Sequence, residues 1–138
     1  MSDFNFTHPL RVRWAECDAQ GIVFNVNYFL YFDVAMTEYL RNLGALTEIF
    51  EEFFTVHAEA DYKAPARFDE ELEIGVRCAN LGRTSMTLAT EIRRGDEIPT
   101  TGKLVYVHAD SKSREKSPLP DKFAAAILAH ENTPPERT

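Results

Sequence analysis

The stretch from residue 28 to residue 43 limits the possible folds of this chain more than any other. Tyr28, Phe29, Leu30, Tyr31, Phe32, Ala35, Met36, Tyr39, Leu40 and Leu43 cover most of a helical projection. Asp33, Thr37, Glu38, Arg41 and Asn42 form the remaining polar strip. A helix with so wide an apolar face has to be wrapped by the rest of the protein. Asn27 is placed to cap its start and Gly44 to stop it, which gives roughly 16 residues and a length of about 24 Å.

The wrapping has to come from the remaining segments, and these read as sheet. Residues 10–14 set Leu10, Val12 and Trp14 against Arg11 and Arg13, the period of a half-buried strand. Four further runs follow. Val56, Ala58, Ala60 and Tyr62 alternate with polar residues, as do Leu72, Ile74, Val76 and Cys78, and then Met86, Leu88, Thr90 and Ile92; the last run spans residues 103–109. Short glycine-containing links at residues 81–83 and 95–96 suit antiparallel hairpins. Residues 121–130 read as a short amphipathic helix, and residues 131–138, which hold a Pro-Pro pair, as a flexible tail. The order β-α-β-β-β-β-α predicts an α+β fold: an antiparallel five-stranded sheet wrapped around one long central helix, plus a short C-terminal helix. A split ferredoxin-like arrangement would need a second long helix between strands, and there is none. The length of 138 residues, without repeat or linker, is read as a single domain over residues 1–130.

The irregular loop between the first strand and the helix carries the candidate chemistry. Asp18 supplies a carboxylate there, and the opening turn of the helix supplies backbone N–H groups with no partner inside the helix. Thioester hydrolysis needs this pair of features. The donors stabilise the carbonyl oxygen as it gains charge, and the carboxylate attacks the carbon or activates a water. An Asp ahead of a helix also serves as a cap or turn residue, so on the residues alone both roles stand.

The segment Glu16-Cys17-Asp18-Ala19-Gln20-Gly21-Ile22-Val23-Phe24-Asn25-Val26-Asn27-Tyr28 resembles the signature of the 4-hydroxybenzoyl-CoA thioesterase family of hotdog proteins. Asp18, Gly21, the Ile22-Val23 pair and Tyr28 match it in register, and the segment from Asp61 to Phe68 is also similar. The resemblance covers nearly the whole chain. It implies a hotdog fold and an acyl-CoA thioesterase, a thioester hydrolase acting on a small aromatic or short-to-medium acyl-CoA. Asp18 falls on the family's catalytic carboxylate, nucleophile or general base. Phe24, Asn25 and Val26 fall where backbone N–H groups polarise the carbonyl. Gly21, Val23, Tyr28 and Asp33 fall around the acyl group, although Asp33 reads equally as a solvent-facing helix residue paired with Thr37 or Arg41. Relatives often carry Tyr or His where this chain has Asn25, a departure that keeps a backbone donor and alters any side-chain role.

Coenzyme A carries a pyrophosphate and a 3′-phosphate, so cations should border its path. Lys63, Arg67 and Arg83 lie at strand ends or turns, and Lys112 and Arg114 belong to a basic run; these are the expected CoA-binding residues, and a solvated loop is the other explanation of that run. No cofactor is expected beyond the coenzyme A of the substrate, and no metal. His8, His57, His108 and His130 lack ligand spacing, with His57 expected to be exposed and His108 packed.

Two other functions compete. Hotdog hydratases need an acid–base pair, commonly an Asp with a His five residues later, where this chain has Val23. A non-catalytic module binding acyl-CoA or an acyl-carrier protein would keep the pocket and could dispense with Asp18. A net charge of −7 argues against a general nucleic-acid binder. No segment is long and apolar enough to span a bilayer, residues 1–7 show no leader pattern, and Cys17 and Cys78 read as free thiols, so a cytoplasmic protein is expected. A small sheet curved around one helix leaves an edge strand uncovered, which predicts a homo-oligomer, with a dimer as minimum and a tetramer common in the resembling family.

Overall fold

The long apolar run forms a helix, Asn27–Asn42, whose Tyr31, Phe32, Ala35, Tyr39 and Leu40 lose all contact with solvent. This is a computed structural model, and it describes residues 3–138; the first two residues of the predicted domain lie outside that range. In chain order the elements are β1 (Phe6–Arg11), α1 (Asn27–Asn42), α2 (Leu46–Ile49), β2 (Phe53–Tyr62), β3 (Glu71–Leu81), β4 (Ser85–Arg94), β5 (Glu97–His108), α3 (Asp121–His130) and β6 (Glu136–Arg137). The fold is the expected α+β hotdog. Strands run in the order β1-β3-β4-β5-β2, antiparallel throughout, and the sheet wraps α1. Leu72, Ile74, Val76, Met86, Leu88, Ile92, Leu104 and Tyr106 form one core with the buried side of α1. Each fully buried large side chain contributes about 1.5–3 kcal/mol relative to exposure.

Two local devices set α1 against the sheet. At its C-terminal end, Gly44 N donates to Arg41 O at 3.0 Å and Ala45 N to Leu40 O at 3.0 Å, the paired bonds with which a glycine terminates a helix. On β5, Gly102 leaves room for the ring of Phe32, which a Cβ there would meet at 2.5 Å. A side chain at residue 102 would therefore lift the helix off the sheet.

The structure differs from the sequence reading in several places; β5, for one, starts at Glu97 rather than residue 103, because it pairs back across the turn to Arg94 of β4. β1 begins earlier than residue 10, because Pro9 is tolerated on an edge strand that bonds to β3 alone at this point. Trp14, expected on the apolar side of that strand, stands exposed in a 3-10 turn, Trp14–Glu16. In β2 the register slips between Thr55 and His57, so Val56 leaves the face that Ala58, Ala60 and Tyr62 present to α1. The predicted flexible tail is also corrected. β6 pairs with β3 (Asn80 with Glu136, Leu81 with Arg137), and Glu131 is buried. The Glu131 carboxylate accepts from Tyr39 Oη and from Cys78 N at 2.9 Å. It thereby satisfies the β3 N–H left between β1 and β6.

Candidate active site

Folding brings the motif loop against the start of α1 through backbone bonds. Asp18 N donates to Ile22 O at 2.9 Å and Gly21 N to Asp18 O at 3.0 Å, closing a tight turn. Gly21 has φ +76°, a conformation that favours glycine. Val23 N reaches Ala66 O, and Phe68 N reaches Gly21 O, both at 2.9 Å, which ties the loop to the segment after β2. Tyr28 is buried, and its hydroxyl accepts Ala66 N at 2.9 Å. Asp18 is half-buried; its Oδ1 accepts Gln20 N at 2.8 Å, and its Oδ2 takes no donor from the described residues.

Sequence reasoning missed the residue that holds this arrangement. Glu16 is 5% exposed. Its Oε1 accepts Arg13 N and Tyr31 Oη, each at 2.9 Å, and its Oε2 accepts Arg13 Nε at 2.7 Å and the Arg13 Nη2. Burial pushes this carboxyl up, yet the hydrogen bonds from Arg13 and Tyr31 outweigh burial and hold it below the ordinary carboxylate range. The Tyr31 hydroxyl is driven upward, by burial first and then by its bond to Glu16, and stays protonated. The Glu16 carbonyl oxygen in turn accepts Phe24 N at 2.9 Å and Asn27 Nδ2 at 2.8 Å. The local trace of this clamp in the sequence is the spacing of Arg13 and Glu16.

That carbonyl changes the expected donor set. Phe24 N–H is consumed by Glu16 and is not available to a ligand. Asn25 and Val26 N–H take no acceptor from the described residues. Asn27 is the first helical residue rather than the cap, and Val26 holds the cap position with no side-chain bond. The opening turn of α1 thus presents two free donors beside a positive helix end.

A groove of about 390 Å³ runs along this turn, lined by Val23, Asn25, Tyr28, Tyr62 and Lys63 among others. It gathers two of the four expected acyl-pocket residues. Gly21 lies in the loop behind it. Asp33 instead lines a separate groove of about 350 Å³ with Phe29, Leu30, Thr55, Ala58 and Tyr106. The Asp33 carbonyl, rather than its carboxylate, accepts the Thr37 hydroxyl, and Arg41 pairs with Glu38. Asp18 lines neither groove within the single chain. Of the expected cations, Lys63 borders the first groove and Arg67 pairs with Ile22 of the loop. Arg83, Lys112 and Arg114 are not brought to them. Arg83 lies in the β3–β4 turn and the other two follow β5, at the far end of strands such as the 10-residue β4, about 30 Å away. A more enclosed cavity of about 220 Å³ lies at the C-terminal end of α1, away from the motif. His57 is exposed and bonded to Glu59, while His108 is buried against Ser117 and Glu52. Among the described residues no three His, Cys, Asp or Glu side chains group as metal ligands.

Residues 20–100 of the chain, which hold the end of this loop, the buried helix and the strands as far as β5, match the model of the Thioesterase superfamily. The chain belongs to that superfamily. The acyl-CoA thioesterase YbgC of Haemophilus influenzae is 37% identical over 132 residues, which span 92% of this chain and 97% of that protein. A Thermus thermophilus thioesterase solved with coenzyme A and Zn superimposes with TM-score 0.87 at 27% identity, over 97% of this chain and 99% of that one. A gentisyl-coenzyme A thioesterase superimposes with TM-score 0.79 at 26% identity, over 88% and 99%. Like these hotdog thioesterases, the protein is a thioester hydrolase, with acyl-CoA thioesters as the substrate class at the level of the family.

Proposed function

We propose that the chain hydrolyses a small aromatic or short-to-medium acyl-CoA, with Asp18 as the reacting carboxylate. The observation that carries this reading is the pair of unengaged N–H groups, Asn25 and Val26, at the opening turn of α1. They would donate to the thioester oxygen as the carbonyl carbon becomes tetrahedral. Asp18 either attacks that carbon, giving an acyl anhydride and releasing the CoA thiolate, or takes a proton from the water that attacks. In the first route water then cleaves the anhydride. Either route consumes one water and yields a carboxylic acid and coenzyme A, the thiolate leaving with a proton.

Tyr28 and Tyr62 give the groove an aromatic wall with ring centres 5.2 Å apart, which suits a flat acyl group and agrees with the gentisyl substrate of one similar enzyme. Lys63 and Arg67 are the cations best placed for the pantetheine and phosphate end; neither makes an ion pair among the described residues. Because Asp18 does not line the groove within one chain, we assign the working unit to a homodimer or a tetramer built from it. The free thiols of Cys17 and Cys78 fit a cytoplasmic setting. No described helix is long and apolar enough to cross a membrane.

The test is a panel of short, long and aromatic acyl-CoAs assayed by release of free CoA, with wild type and Asp18→Asn side by side. The variant keeps size and removes charge, so kcat should fall by about 10²-fold or more with the fold intact. Near-wild-type turnover in Asp18→Asn would place the chemistry on another residue.

A further inference from the structure

We propose that Tyr62 is a positioning residue of this site, acting through the peptide unit between Asn25 and Val26; the inference rests on the hydrolytic mechanism above. Tyr62 Oη donates to the Asn25 carbonyl at 3.0 Å. That carbonyl and the Val26 N–H belong to one planar unit, so a bond that holds the oxygen also holds the direction of the N–H. Donation to the oxygen draws charge along the amide and makes its N–H the stronger donor. Val26 N–H is one of the two groups left without an acceptor, so the consequence of the bond points into the place where a thioester oxygen would gain charge.

The turn around this peptide is closed by Asn27 N on Phe24 O at 2.8 Å, but no second short bond reaches the Asn25 oxygen itself. Asn25 and Val26 are exposed, Val26 precedes the first helical residue, and the other bond to the Asn25 oxygen, from Tyr28 N, is long at 3.4 Å. Tyr62 is itself anchored. It ends β2 opposite Thr100 of β5, and its ring packs on Tyr28. The hydroxyl therefore transmits the fixed frame of the sheet to a donor on a surface turn 37 residues earlier. The ring is half-exposed and its packing does not require the hydroxyl, so removing the oxygen leaves the fold a way to persist.

Tyr62→Phe, Asp18→Asn and wild type are compared as full chains on the fastest substrate of the panel, with benzoyl-CoA as the first probe. Tyr62→Phe should lower kcat about 10-fold while KM stays within about twofold, because the lost interaction strengthens only as charge develops. The thermal midpoint and the shape of the kcat–pH profile should match wild type. An unchanged kcat in Tyr62→Phe beside an inactive Asp18→Asn overturns the role of Tyr62 alone. So does a fall in kcat that comes with a changed KM and a lower midpoint, which marks a structural prop, or with a displaced pH limb, which marks a proton carrier. Full turnover by Asp18→Asn overturns the underlying mechanism and Tyr62 with it.

Discussion

Asn25 occupies the point at which the backbone and the side chain of one residue can be separated. Asn27 N donates to Phe24 O at 2.8 Å, which makes Asn25 the second residue of a tight turn, a position proline favours. Asn25→Pro therefore deletes an N–H that serves no protein acceptor and leaves the turn formed. Asn25→Ala keeps that N–H and deletes the amide side chain. We expect the Ala variant within about threefold of wild-type kcat and the Pro variant about 10²-fold lower, the usual cost of one oxyanion donor; circular dichroism should show both folded. Equal losses in the two variants would transfer the role to the side chain. The loop that holds Asp18, Gly21 and Tyr28 was legible in the sequence as a candidate site, because the motif spaces them within eleven residues. The removal of Phe24 from the donor set was not, since it depends on where the Glu16 carbonyl comes to rest. Nor was Tyr62, whose partner lies 37 residues away. Glu16 reads as one more acidic residue until Tyr31 is delivered to it by the helix.

Among the elements, the ones recognised from sequence are those whose two faces meet different surroundings. α1 carries a wide apolar face, and β3 and β4 alternate between core and exterior; their hairpins fall where the glycine-containing links predict. The elements missed or misplaced owe their form to a neighbour. β1 and β6 are edge pieces completed by β3, α2 is a single turn, and the slip in β2 is a matter of pairing. The clamp between the 3-10 turn and α1 belongs to this scale, because Glu16 of the one joins the preceding Arg13 to Tyr31 of the other. Its carboxyl is held below the ordinary range in the folded state, so it contributes stability above its unfolded value of about 4.3 and loses it as pH falls through the lower folded value. Arg13 is well exposed and the Coulomb part is screened. The hydrogen bonds are therefore the larger share, and Glu16→Gln should cost about 1–2 kcal/mol at pH 7. Urea unfolding from pH 7 downward should show the gap between wild type and variant narrowing below about pH 4. A gap that stays constant into acid would mean that the charge on Glu16 is irrelevant to the clamp.

At the scale of the whole molecule, the sheet ends in two edge strands, β1 on one side and β2 on the other. β1 and β6 share the outer edge of β3, and Glu131 fills the space between them. β2 pairs with β5 alone, and its free edge carries the exposed side chains of Phe54 and Val56, close in sequence to the Thr55 and Ala58 that border the Asp33 groove. Leu30, Val26 and Phe24 add exposed apolar groups along the start of α1. An uncovered apolar edge strand is a template for another strand, and two copies related by a twofold axis would cover both edges at once. The same pairing would bring a second chain alongside grooves that one chain leaves open and that Asp18 does not line. Val56 is the residue to alter. It stands at the slip in β2, 59% exposed, outside the core, so Val56→Lys adds a charge to the edge with little effect on the fold of the chain. By light scattering the wild type should weigh at least twice the 15.7 kDa chain, and Val56→Lys should approach a single chain at micromolar concentration. Hydrolysis should fall at least about 10-fold with it while the circular dichroism spectrum is kept, the outcome expected of a site that the partner completes. A variant that still dimerises would move the interface off β2, and a fully active single chain would show that Asp18 reaches its substrate unaided.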